Sequence, residues 1–189
     1  TDTATLTLAN QTGGAYILSS ASAGGIETLS VTSGTSKNTV NITDSTRNIL
    51  KAVNIDGSAA LVSTIDSDSL RTVDGSNATG ALTLTTAVTG DMVIKGGSGA
   101  DTITFTTTSW TLADTVDGGA GEDVLEIGTA ITAATGLKNV SNVETLKMSG
   151  TAGITLALDA NIMNFDLSGT GANILTLNTG VLAATTVKL

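Results

Sequence analysis

Residues 96–104 read Gly-Gly-Ser-Gly-Ala-Asp-Thr-Ile-Thr, and residues 118–126 read Gly-Gly-Ala-Gly-Glu-Asp-Val-Leu-Glu. Both fit one nine-residue pattern, G-G-x-G-x-D-x-U-x, in which U is a large aliphatic residue, here Ile103 and Leu125. Six residues of the pattern make a turn and three make a minimal strand. Glycine is placed where the backbone must take positive φ or approach another group closely. Carbonyls of the turn point inward, Asp at position six adds a carboxylate, and the aliphatic residue points into a coil. Units of turn plus strand that recur along a chain stack into a solenoid, in which each coil contacts its neighbours and buries a narrow core.

Phase extends the pattern. Nine residues before Asp123 stands Asp114, with Val116 in the aliphatic slot, so a degenerate repeat lies between the two clear ones. Asp101 and Asp114 are 13 positions apart, which places a four-residue insertion within Thr106-Thr107-Thr108-Ser109-Trp110. With two repeats per coil, Asp101 and Asp123 come to the same edge one coil apart, and Asp114 faces the other edge. A hard cation, Ca2+, fits between turns 96–101 and 118–123, taking both carboxylates and the carbonyls of Gly96, Ser98, Gly118 and Ala120. Asp117 and Glu122 are expected as additional oxygen donors. Asp114 is a candidate ligand at the opposite edge, although Asp91 lies one residue off the position that would pair with it across a coil. Asp56 and Asp74, each followed by Gly, are expected to close turns through their own side chains.

Composition narrows the chemistry. The 189 residues include no His, no Cys and no Pro, which removes Ser-His-Asp and Cys-His nucleophile systems, zinc sites of nitrogen and sulfur ligands, and haem or iron–sulfur ligation. Seventeen Asp and Glu against eight Lys and Arg give a formal charge of −9, so a phosphate backbone is repelled and nucleic acid is not an expected partner. A mean hydropathy of +0.29 with recurring Val, Ile and Leu argues for a folded chain. No run of about 18 apolar residues is present to span a bilayer as a helix. The opening Thr1-Asp2-Thr3 carries no initiator Met and no charged-then-apolar leader, and the sequence is expected to be a segment of a longer protein.

Strands are expected throughout. Thr5-Leu6-Thr7-Leu8, Ala81-Leu82-Thr83-Leu84-Thr85 and Asn173-Ile174-Leu175-Thr176-Leu177 alternate with period two. Turn chemistry is read at Thr12-Gly13-Gly14, Ala23-Gly24-Gly25, Asp56-Gly57-Ser58, Asp74-Gly75-Ser76 and Gly169-Thr170-Gly171, and residues 129–142 read as loop. Ile26-Glu27-Thr28-Leu29-Ser30-Val31 and Val143-Glu144-Thr145-Leu146-Lys147-Met148 share an aliphatic-Glu-Thr-Leu core. The expected fold is all-β, a parallel β-solenoid or β-roll. Its segments are residues 1–70, β-rich and open to being a separate module, residues 71–148, the calcium-binding roll, and residues 149–189, a continuation. Phe105 and Trp110 are expected to cap an exposed end beside the insertion.

The paired motifs resemble the haemolysin-type (RTX) calcium-binding repeats. Their setting, with Leu70-Arg71-Thr72-Val73-Asp74-Gly75-Ser76-Asn77-Ala78-Thr79-Gly80-Ala81-Leu82-Thr83-Leu84 before them and Asn142-Val143-Glu144-Thr145-Leu146 after, looks like bacterial surface-layer proteins that carry such repeats. The resemblance implies a parallel β-roll that calcium folds outside the cell, export by a one-step type I system, and self-assembly into a two-dimensional lattice. Copies of the chain are then the expected partners, with a cell-surface glycan or lipopolysaccharide as anchor. Only two good repeats depart from the long arrays of that family, which leaves the number of ions open. Enzymatic activity is not expected: Arg47 and Arg71 lie outside the calcium segment, Glu122 and Glu126 fall on ladder positions, and without His a general base near neutral pH needs a strongly shifted group. An adhesin or biofilm-matrix segment, or the non-catalytic roll of a secreted enzyme, are the alternative readings.

Overall fold

Thr alternating with Leu, Ile or Val suits a strand with one face on a core and one in water. The computed structural model builds its whole architecture from such strands. It describes residues 2–18, 24–44, 49–106, 109–129, 136–149, 153–156, 162, 164–168, 174–177 and 186–188. The readings at Ala23, Arg47, Thr107-Thr108, residues 130–135 and Gly169-Thr170-Gly171 lie outside the described residues.

In chain order the strands are β1 (Thr3–Ala9), β2 (Thr12–Ile17), β3 (Thr28–Gly34), β4 (Asn38–Thr43), β5 (Ala52–Gly57), β6 (Leu61–Asp66), β7 (Thr72–Ala78), β8 (Leu82–Thr86) and β9 (Val93–Lys95). They continue with β10 (Thr102–Phe105), β11 (Thr115–Asp117), β12 (Val124–Ile127), β13 (Val140–Ser141), β14 (Thr145–Met148), β15 (Gly153–Leu156), β16 (Asn164–Asp166), β17 (Ile174–Leu177) and β18 (Thr186–Lys188). Among the described residues there is no helix. Odd strands β1 to β13 form one sheet of seven, even strands β2 to β18 a second of nine, and β15 pairs with β17. Every pairing is parallel and joins strands one coil apart. The chain is therefore a two-sheet β-solenoid, each coil giving one strand to each sheet.

Inward residues stack in registered columns. Leu29, Val53, Val73, Ile94, Val116 and Val140 line the seven-stranded sheet. Val40, Ser63, Leu84, Ile103, Leu125, Leu146 and Phe165 line the nine-stranded one. Burying each aliphatic side chain stabilises by about 1.5–3 kcal/mol. Ile103, Val116 and Leu125, the three aliphatic slots of the repeats, are all at most 2% exposed. Ladders of both sheets cross residue 70, through Ala52–Thr72 and Leu61–Leu82, whereas across residue 148 the nine-stranded sheet continues through Thr145–Asn164 and β15 and β17 form a sheet of their own.

Several local expectations are corrected. Gly13 and Gly14 sit inside β2, where the pairing with β4 shifts register between Thr12 and Ala15. Gly75 sits inside β7, with a register shift against β5 between Asn54 and Asp56. Glycines in both places mark bulges rather than turns, because a bulge also needs a residue free of Cβ constraints. Phe105 caps nothing: it is fully buried in the column between Thr86 and Ile127, and Trp110 meets it edge-on at a centroid distance of 5.0 Å. The two aliphatic-Glu-Thr-Leu segments enter different sheets, since Thr28 opens β3 and Thr145 opens β14. Their likeness reflects how a strand is entered, not one coil period.

Candidate metal centre

One residue per coil stands in a corner column at the start of seven strands of the nine-stranded sheet: Gln11, Asp101, Asp123 and Glu144 immediately precede β2, β10, β12 and β14, and Asn38, Leu61 and Leu82 open β4, β6 and β8. Its backbone N–H points toward the next coil and needs an acceptor there. In the middle coils a carbonyl provides it, Ala60 for Asn38 at 2.8 Å and Ala81 for Leu61 at 2.9 Å. Elsewhere the acceptor is a side chain. Gln11 N–H donates to Asn38 Oδ1, Leu82 N–H to Asp101 Oδ1, Asp101 N–H to Asp123 Oδ1 and Asp123 N–H to Glu144 Oε2, each at 2.7 Å. Three consecutive coils thus present a carboxylate at one edge, and the two position-six Asp residues are joined directly across one coil.

Glycine lets the turns between these corners stack. Gly96 N–H donates to Asp117 O at 2.8 Å and Gly118 N–H to Ser141 O at 3.0 Å. Ser98 N–H bonds Ala78 O and Ala120 N–H bonds Gly97 O, both at 3.0 Å. A Cβ at Gly96 would collide with the Gly118 carbonyl, and one at Gly118 with the Asn142 carbonyl. Gly119 also adopts φ 97°. Gly96, Ser98, Gly118 and Ala120 therefore lie in adjacent stacked turns as the spacing predicts, and the Gly118 carbonyl faces the preceding coil.

Asp101 and Asp123 differ in how they are satisfied. Both oxygens of Asp101 accept N–H groups, from Leu82 and from Gly97 at 2.7 Å. Burial raises its pKa, and those two bonds oppose the rise. Asp123, 2% exposed, accepts Asp101 N–H on Oδ1, but its buried Oδ2 has no hydrogen-bond partner. Burial first, then the negative charges of Asp101, Glu144 and Glu122, push its pKa up to about 6, against the bond from Asp101 N–H. A buried carboxylate oxygen without a donor is costly, and a cation or a proton is what relieves it.

Asp114 stands at the other edge, before β11, with Oδ1 bonded by Met92 N–H at 2.7 Å and Oδ2 by Thr111 N–H at 2.5 Å. Burial raises its pKa as well, with Asp91 adding to the rise. Asp91 accepts the Thr111 hydroxyl at 3.1 Å. Asp117 Oδ1 accepts from Asn142 Nδ2 at 2.7 Å and from Gly119 N–H at 3.2 Å. Glu122 is exposed. Asp74, at the bulge within β7, accepts Ser76 N–H and hydroxyl on Oδ1, which lowers its pKa.

Two corner residues escape the motif. Glu144 extends the carboxylate column, and the sequence signal for it is an acidic residue just before a strand in Val143-Glu144-Thr145, as Asp101 and Asp123 stand before theirs. Asp44, buried, accepts Ile49 and Leu50 N–H groups at 2.5 and 2.8 Å. Among the described residues no three acidic side chains form a metal cage by themselves. Any ion at the corner is held by one or two carboxylates, with carbonyls and water completing the shell, a donor set of oxygen alone that suits a hard cation. Among the described residues no helix is long and apolar enough to cross a membrane. Family models, curated proteins and solved structures yielded no match to this chain.

Proposed function

We propose that the chain is a calcium-stabilised structural segment of a bacterial surface-layer protein, secreted and assembling with copies of itself on the cell surface. The observation that carries the reading is the Asp101–Asp123 pair: two glycine turns of one pattern stacked a coil apart, with a buried Asp123 oxygen that lacks a donor. The role is non-catalytic. Asp101, Asp123 and carbonyls of turns 96–101 and 118–123 are the proposed ligand groups, and Asp114 and Asp117 are engaged with backbone and side-chain donors nearby.

Linkage supplies the mechanism. An ion that binds the stacked turns and not the unfolded chain adds its binding free energy to folding. Scarce calcium inside the cell leaves the acidic chain exportable, and outside, sites of this kind bind at about 10⁻⁴ to 10⁻³ M. The registered threonine- and charge-bearing outer faces give the solenoid regular surfaces for lateral contact between copies, with a surface glycan or lipopolysaccharide as the proposed anchor.

Calorimetry with calcium, paired with far-UV circular dichroism, tests the ion. Saturable binding in the wild type that is lost in Asp101→Ala/Asp123→Ala is expected; no heat below about 10 mM, well above the extracellular range, refutes it. Electron microscopy of the calcium-loaded chain tests assembly. Ordered sheets support the lattice, whereas a dispersed monomer that adheres to glycan surfaces favours an adhesin.

A further inference from the structure

Resting on the calcium reading above but replacing its Asp101 side of the ligand set, we infer that the cation seat lies one coil beyond the paired motifs, between turn 118–123 and the corner 142–144, held by Asp123 Oδ2, the Glu144 carboxylate and the Asn142 carbonyl.

The two motif turns are alike in sequence and unlike in satisfaction. In the first, Gly97 N–H reaches Asp101 Oδ2 at 2.7 Å and saturates that side chain. In the second, the corresponding Gly119 turns to φ 97° and its N–H goes to Asp117 Oδ1 at 3.2 Å, so Asp123 Oδ2 is left without a donor while fully enclosed. The orphan oxygen lies beside Gly118, where the following coil also closes in. A Cβ added to Gly118 would meet both the Asn142 carbonyl oxygen and Asp123 Oδ2, the latter at 2.6 Å, so the two oxygens flank one side of a residue with no side chain.

Asn142 is held for this arrangement. Its φ is 50°, a left-handed conformation that Asn tolerates better than most residues, and its Nδ2 donates to Asp117 Oδ1 at 2.7 Å. Glu144 arrives from the same corner, with Oε2 on Asp123 N–H at 2.7 Å. The corner between β13 and β14 is three residues long, against six for turn 118–123. Ala120, Gly121 and Glu122 in that turn are exposed. Among the described residues no ion pair reaches Asp117, Glu122, Asp123 or Glu144. Two carboxylates and a carbonyl, completed by water, make an oxygen site for a calcium-sized ion.

Calcium titration of the full chain by calorimetry separates the two seats. Glu144→Gln and Asp123→Asn are expected to weaken binding at least tenfold, while Asp101→Asn stays within about threefold of wild type, since a tenfold change corresponds to about 1.4 kcal/mol. Glu126→Gln removes an equal charge from the outer face and is expected to bind like wild type; circular dichroism checks that each variant retains the β fold. Binding lost in Asp101→Asn and kept in Glu144→Gln overturns this placement and leaves the motif-pair reading standing. Equal loss in both also overturns it. Absence of binding in the wild type overturns both.

Discussion

The main-chain N–H of Asp101 donates to the side chain of Asp123 at 2.7 Å, so the residues at position six of the two motifs are coupled through one residue's backbone and the other's carboxylate. The same bond recurs from Asp123 to Glu144 and from Leu82 to Asp101. A carboxylate at this corner does the work that a carbonyl does at Ala60 and Ala81. Negative charge is therefore an addition to a structural role, and its cost falls on the buried Asp123 oxygen that no donor reaches.

That cost has a pH signature. Asp123 titrates near pH 6 in the folded chain, whereas an unfolded Asp titrates near about 3.9. The folded state binds this proton more tightly, so the stabilisation is complete below about pH 4 and is lost as pH rises through about 6. Asp101 and Asp114, also raised by burial, act in the same direction. With calcium chelated, the thermal midpoint should fall between pH 4.5 and 7.5. A midpoint that climbs over this range would contradict the assignment.

Replacing the charge should help the metal-free chain. Asp123→Asn keeps an oxygen for Asp101 N–H and removes an unpaired buried charge, with an expected gain of about 1–3 kcal/mol at pH 7.5 in chelator. Chemical denaturation measures it. Adding a few millimolar calcium, the upper part of the extracellular range, should raise the stability of the wild type and leave the variant unmoved.

Stacking tolerates no side chain at Gly118. The Asn142 carbonyl and Asp123 Oδ2 occupy the space that a methyl group would take, so Gly118→Ala should cost about 1–3 kcal/mol or more through overpacking and displacement of the corner. Urea unfolding of Gly118→Ala against wild type reads the loss, and a neutral substitution would mean that the coils are spaced more widely than described.

Asn38 offers an internal comparison, since it fills the same column without charge. It accepts Gln11 N–H and gives its amide to Ser33 Oγ, Gly34 O and Ser36 O. Asn38→Asp would place a carboxylate oxygen against those acceptors. The expected loss is about 2–4 kcal/mol at neutral pH, on the scale of a buried group set against unsuitable partners. Neutralising the exposed partner in the Lys147–Glu126 pair, by Lys147→Ala, should cost under about 1 kcal/mol.

Much of the fold is legible because alternation and the aliphatic slot are local signals. Leu6, Leu84, Ile103 and Leu125 announce inward positions from their immediate neighbours alone. Glycine carries less information, since a bulge at Gly75 and a turn at Gly97 alike leave no room for a Cβ. Coil length hides the rest. Successive corner bonds join residues 27, 19, 22 and 21 positions apart, so no fixed period flags Glu144 as the partner of Asp123. Phe105 is hard to place from sequence for a related reason: the adjoining insertion suggests an end, whereas register with Thr86 and Ile127 puts the ring mid-column.

Every ladder in the two sheets joins a strand only to the coils before and after it. Under mechanical tension the hydrogen bonds of one coil therefore carry load before those of the next, and the chain yields by unspooling in steps of about twenty residues, one coil's length. A cation clamped between two adjacent corners would act as a brake at one defined step of that release.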